Sequence, residues 1–140
     1  MNEIPTGMLS VEILRTLHAV EDGLDAALAP LGLSLAKLGV LSKLVAAGEP
    51  LALGELAKRS ACVRSNITQL VDRLEADKLV ARSDDPNDRR SVRAELTDEG
   101  RARHAAGIAA LKVAEASLLE RLPGPHRASL LPLLQSLRGV

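Results

Sequence analysis

Two guanidinium groups stand side by side in DDPNDRRSV, residues 84–92, where Arg89 and Arg90 follow Asp84, Asp85 and Asp88. A guanidinium is planar and permanently charged, and its parallel N–H donors suit phosphate and carboxylate oxygens. A second group of polar side chains lies on the stretch Arg64 to Asp77. At helical spacing Ile67, Leu70, Val71 and Leu74 share an apolar face, while Ser65, Gln69 and Asp72 point the opposite way, with Asn66 and Arg73 flanking them. Asn and Gln can pair two-point with adenine, and Arg64 or Arg73 can reach guanine or phosphate. The bland account of both groups is a solvated helix face and a solvated charge run.

Such side chains need a frame to aim them. Leu9, Ile13, Leu17, Val20, Leu24, Leu28 and Leu31 recur at spacings of three and four, which predicts one long helix ended by Pro30 and Gly32. A second helix, Ser34 to Ala47, is expected from a Ser34 cap, with Leu38, Leu41 and Val45 buried and a stop at Gly48 and Pro50. After the apolar piece Leu51 to Leu53 come helical segments at Gly54–Ser60 and Arg64–Asp77, separated only by Ala61, Cys62 and Val63. Two short helices joined so tightly make a helix-turn-helix candidate. Leu79–Arg82 and Val92–Leu96 then alternate apolar and polar residues, predicting a hairpin with a long polar tip over 83–91. A helix capped by Thr97 runs to about Leu122; beyond LPGP a last helix carries Leu130, Leu131, Leu133, Leu134 and Leu137, with Pro132 kinking it or delaying its start.

Composition narrows the chemistry. The 140 residues fit one domain, and with no Phe, Tyr or Trp the core must be aliphatic and no site can stack bases or sugars on aromatic rings. The single Cys62 excludes an internal disulfide or a Cys-rich zinc site. MNEIPTGML has an acid where a secretory signal carries positive charge, and no apolar run reaches membrane-spanning length, so a cytoplasmic protein with no membrane partner is expected. A formal net charge of zero conceals a division: residues 58–93 carry nine Lys/Arg against six Asp/Glu, and the rest carries nine against twelve. The positive excess falls in the segment holding both polar groups, as it would if one face meets a polyanion. His18, His104 and His126 are too dispersed to hold a metal. There is no phosphate loop, nucleophile elbow or paired-His motif, so neither an enzyme nor a cofactor is expected.

The order helix, helix, helix-turn-helix, hairpin, helix, helix describes a mainly α chain with a small β-hairpin wing, a winged helix-turn-helix embedded in a helical frame. GLSLAKLGVLSKL at 32–44, LALGELAKRSACVRSNITQLVDRLEADKLVAR at 51–82 and DDPNDRRSVRAELTDEG at 84–100, in this order, resemble the MarR-type winged helix-turn-helix regulators. The resemblance implies a homodimer, usually a repressor, binding a pseudo-palindromic double-stranded operator and often released by a small-molecule effector or by thiol oxidation. It implies dimerisation helices over 1–33 and 98–140 around a DNA-binding region at 34–97. The recognition helix then presents Arg64, Ser65, Asn66, Thr68, Gln69 and Arg73 to the major groove, and the wing at 83–91 puts an arginine into the minor groove. Asp88 matches the acid of the family's Asp-x-Arg pattern and braces Arg90 through a charge-assisted hydrogen bond, while Arg89 reaches phosphate.

The chain departs from the family's pattern at two places. Val63 stands where many members carry a capping Ser, leaving Ser65 as its replacement, and Lys78 stands where Gly is usual, at a position often requiring positive φ. Cys62, in the tight turn, is expected to be a buried structural residue. An effector would meet aliphatic and polar walls, with Arg15 or His18 as a charged handle. A second class stays open: a winged-helix protein-protein adaptor whose helix face and wing meet a partner protein rather than DNA.

Overall fold

A computed structural model of the chain describes residues 6–61 and 64–140, the side chains of residues 6, 64 and 65 excepted. The elements are α1 (Thr6–Leu28), α2 (Leu35–Ala47), β1 (Leu51–Ala52), α3 (Leu53–Arg59), α4 (Arg64–Ala76), β2 (Val80–Asp85), β3 (Asp88–Leu96), α5 (Asp98–Leu119) and α6 (Gly124–Arg138). The seam of α1 stops at Leu28 and passes through a 3-10 turn, Ala29–Leu31, into the left-handed Gly32. Ser34 caps α2 by accepting the N–H of Lys37 at 3.2 Å. Thr97 caps α5 by accepting the N–H of Gly100 at 2.9 Å. Each cap satisfies a donor that the first helical turn leaves without a partner.

The hydrophobic core lies between Leu28 and Ala94 in sequence: Leu41 of α2, Leu56 of α3, Ile67, Val71 and Leu74 of α4, and Leu79 before β2 are fully buried. Val45, expected inside, is 42% exposed, and Val40 and Leu44 are buried instead. Val45 sits in the last turn of α2, where the apolar arc opens onto a groove beside Pro50 and Leu96.

Leu51–Ala52, expected only as an apolar piece, forms a third strand. The sheet order is β1-β3-β2, antiparallel throughout, with Leu51 opposite Ala94 and Val80 opposite Leu96. The expected long tip at 83–91 is corrected: the strands run on to Asp85 and Asp88, and only Pro86 and Asn87 make the turn. Asp85 accepts the N–H of Asn87 at 2.9 Å, an Asx turn that lets so short a tip close.

The close of α4 sets the hairpin's direction. Leu79 N–H donates to Leu74 C=O at 2.9 Å and Lys78 N–H to Glu75 C=O at 2.9 Å, the paired bonds of a Schellman ending. Lys78 takes φ 62° there, the left-handed conformation expected for this position. The start of α5 is pinned to the same place, since the Thr97 hydroxyl lies 2.8 Å and 3.0 Å from the carbonyl oxygens of Lys78 and Leu79, its possible acceptors. A Cβ on Gly100 would overlap the Leu79 carbonyl.

The outer helices are less covered. On α1 Leu28 is buried and Leu24 half-buried, whereas Leu9, Leu14 and Leu17 are exposed. Helix α6 runs through Pro132 without a delayed start, has no buried residue, and leaves Leu131, Leu133 and Leu137 more than 60% exposed. Among the described residues no single helix is long and apolar enough to cross a membrane.

Candidate nucleic-acid interface

Helix α4 turns Ile67, Val71 and Leu74 into the core, which leaves Asn66, Gln69 and Arg73 exposed on the other side and Thr68 half-buried. No ion pair or hydrogen bond of the Arg73 guanidinium occurs among the described residues. Asp72, on the same polar side, is not a free acid: it is ion-paired with Arg82 of β2. The side chains of Arg64 and Ser65, and Cys62 and Val63 entirely, lie outside the described residues, as do the cap expected of Ser65 and the burial expected of Cys62.

In the wing the two arginines occupy a break in the ladder. Asp84 pairs with Val92, and the next pair is Asp85 with Asp88, so Arg89, Arg90 and Ser91 on β3 have no opposite residue on β2. A bulge of this kind frees the extra residues from the pleat and re-aims their side chains. Arg89 and Arg90 are both exposed, and their guanidiniums make no ion pair among the described residues. The expected side-chain brace from Asp88 is corrected: its Oδ1 accepts the backbone N–H of Arg90 at 3.0 Å. With one residue between acid and donor, the short Asp side chain closes on the main chain rather than on the guanidinium.

Arg82 was not singled out by the sequence reading, yet it joins the two polar groups. Its guanidinium pairs through Nη2 with Asp72 and through Nη1 with Glu75 Oε1 at 3.2 Å, and its backbone N–H donates to Glu75 Oε2 at 3.0 Å. The hydrogen bond to Asp72 leads in raising the Arg82 pKa above its ordinary value, with both carboxylates' charges adding and burial opposing. Acids at i and i+3 on α4, followed by an arginine in the next strand, were the signal available.

Arg15 and His18 are exposed on α1, Arg15 bonded to Glu12 at 2.8 Å and His18 Nδ1 3.8 Å from Glu21. Neither lines the groove of about 290 Å³ between α2, β3 and α5 or that of about 210 Å³ between α1 and α5. His104, at the first groove, bonds Ser42 Oγ at 3.0 Å. Among the described residues no three His, Cys, Asp or Glu could hold a metal ion.

The MarR family model matches residues 33–92, the span from α2 through the wing arginines. The transcriptional repressor CouR, solved bound to a 23-mer DNA duplex, is 30% identical with a TM-score of 0.80, over 98% of this chain and 99% of that one. The chain belongs to the MarR family. Two further relatives differ in how far the likeness extends. The repressor Rv2887 of Mycobacterium tuberculosis is 29% identical over 136 residues, 97% of this chain and 95% of that protein. The HTH-type regulator YkoM of Bacillus subtilis is 34% identical over 83 residues, and the chain spans only 50% of its length. CouR of Rhodococcus jostii has also been solved with p-coumaroyl-CoA, and Rv2887 with salicylic acid. MarR-family proteins are transcriptional regulators rather than enzymes, and the MarR winged-helix fold is the frame that sets the β2–β3 wing beside α4.

Proposed function

We propose that this MarR-family regulator is a homodimeric repressor that binds a pseudo-palindromic DNA operator, with α4 in the major groove and the wing in the adjacent minor groove. The bulge at Arg89–Ser91 carries the reading, because it presents two exposed guanidiniums, with no ion pair among the described residues, on the hairpin that follows a helix with exposed Asn66, Gln69 and Arg73. A minor groove narrowed over A·T pairs concentrates negative potential and favours an inserted guanidinium. Asn66 and Gln69 read base edges, Arg64, Ser65, Thr68 and Arg73 contribute base or phosphate contacts, and Arg89 and Arg90 divide phosphate contact and groove insertion between them. CouR, bound to a DNA duplex, supports this use of the fold.

The second copy is called for by the apolar surface of the outer helices. Met8, Leu9, Leu14 and Leu17 on α1 and Leu131, Leu133, Leu134 and Leu137 on α6 are all between 47% and 64% exposed, more than a lone chain leaves in water without consequence. The regions 1–33 and 98–140 are therefore the dimerisation frame, and 34–97 the DNA-binding region. Small molecules bound by CouR and Rv2887 support an effector here too, held by aliphatic walls, with Arg15 or His18 as its charged handle once a partner covers α1.

The test is a fluorescence-anisotropy titration of labelled duplexes from the DNA flanking the chain's own gene. Saturable, salt-sensitive binding by a dimer, resistant to competitor DNA, is expected. Weak retention indifferent to sequence overturns the reading and favours the protein-protein adaptor.

A further inference from the structure

Arg82 is placed to do more than balance two acids. It stands on β2 opposite Ala94, in the sheet that carries the wing, and its three polar contacts all go to α4: Nη2 to Asp72, Nη1 to Glu75, and its own N–H to Glu75. The planar guanidinium is itself a fork that sends its two Nη donors to two different carboxylates of α4, so the contact fixes orientation as well as distance. Asp72 is one turn beyond Thr68 and Gln69 on α4, whereas Arg82 is on the strand leading to the bulge. Among the described residues, helix and wing are also linked by Asp77, Lys78 and Leu79, by the bonds of Thr97 to the Lys78 and Leu79 carbonyls, and by the apolar core beneath them. The Arg82 side chain is 28% exposed and its partners Asp72 and Glu75 56% and 42%, so the fork is only partly sheltered from screening by salt.

We propose that Arg82 is a positioning residue that locks the angle between α4 and the wing, so that helix and wing reach adjacent grooves of one duplex together. This rests on the DNA-binding reading given above. Without the fork the hairpin can pivot on the Lys78 joint, and Arg90 then loses its groove while α4 keeps its base contacts. Arg82 itself touches no DNA, so its loss should act through the wing.

A double-mutant cycle between Arg82 and Arg90 tests this, since no hydrogen bond or ion pair joins them among the described residues. Independent sites should combine to within about twofold in affinity. In the parent, Arg90→Ala is expected to weaken operator affinity by at least about fivefold. In an Arg82→Gln background the same change should cost under about twofold, because the wing is already unseated. The triple variant Asp72→Asn, Glu75→Gln, Arg82→Gln removes every charge of the fork; it should behave like Arg82→Gln alone, and recovery of parental affinity would mean that Arg82 merely neutralises acids. Arg82→Lys, which keeps the charge and loses the fork, should recover only part of the coupling. If Arg82→Gln does not fold, Asp72→Asn with Glu75→Gln opens the same joint from exposed and half-exposed positions and enters the cycle in its place.

An Arg90→Ala penalty of equal size in both backgrounds overturns the positioning role while leaving the DNA-binding reading intact. A parent protein indifferent to Arg90→Ala overturns the positioning role, and one whose binding is weak and indifferent to sequence overturns both.

Discussion

Asp88 accepts the main-chain N–H of Arg90 at 3.0 Å, which makes it a shaper of the bulge rather than a brace for the arginine head. Asp88→Asn keeps an Oδ1 acceptor and should bind operator like the parent. Asp88→Ala should lose about 0.5–1.5 kcal/mol of binding as the bulge loosens. Equal losses for the two variants in an anisotropy titration would return the acid to a charge-pairing role. For the arginines, Arg90→Ala should cost about 1–3 kcal/mol and blunt any preference for A·T-rich flanks. Arg89→Ala should weaken all sequences alike and lower the salt slope by about one. Affinities at several salt concentrations, on duplexes with A·T-rich and G·C-rich flanks, separate the two roles, and loss of flank preference in Arg89→Ala alone would exchange them. The arginine pair was legible from residue type and local charge. Their release from the ladder was not, because pairing register is decided by the turn and by the partner strand.

The elements themselves were largely legible, since helix caps and apolar spacing are local signals. Ser34, Thr97, Gly32 and Gly48 mark ends that the structure keeps. Where the sequence reading failed, the deciding contact was long-range. Val45 and Leu44 are neighbours of similar hydropathy, and only what packs on the last turn of α2 decides which is covered; β1 is a strand because β3 lies beside it. Close approach between elements gives two graded tests. A Cβ at Gly107 would stand 2.8 Å from Leu38 Cδ1 and 3.0 Å from Leu33 Cδ1, both movable side-chain ends. At Gly100 the obstacle is the Leu79 backbone carbonyl, which cannot yield without moving the joint of α4 and β2. Gly107→Ala should therefore cost about 1 kcal/mol and Gly100→Ala about 3 kcal/mol or the fold itself, read by chemical denaturation. The reverse order would place the tight contact on the wrong side of α5. Lys78→Gly should gain about 0.5–1 kcal/mol by relieving the left-handed backbone, and a lower denaturation midpoint would contradict the Schellman ending.

Across the whole molecule the distribution of apolar surface is uneven. The core from Leu28 to Ala94 is closed, while α6 has no buried residue and the first half of α1 is exposed, so the winged helix is finished within one chain and the outer frame is not. Removing residues 124–140 should give aggregated or unstable protein with no operator binding, measured by sedimentation and anisotropy; a soluble monomer of full affinity would rule out the proposed frame. The full chain should also melt at a temperature that rises with protein concentration, as expected when folding and association are linked. The sequence showed this surplus of leucines at both ends but not which of them the chain itself covers: Leu24 and Leu28 are covered, Leu9 and Leu17 are not.

A core assembled without a single Phe, Tyr or Trp also makes the protein nearly dark in the near ultraviolet. Absorbance and fluorescence in a mixture with DNA or a phenolic compound then belong almost entirely to the added molecule. Asn87→Trp in the exposed wing tip would give each protomer its only indole, and its emission would follow the wing from water into the groove.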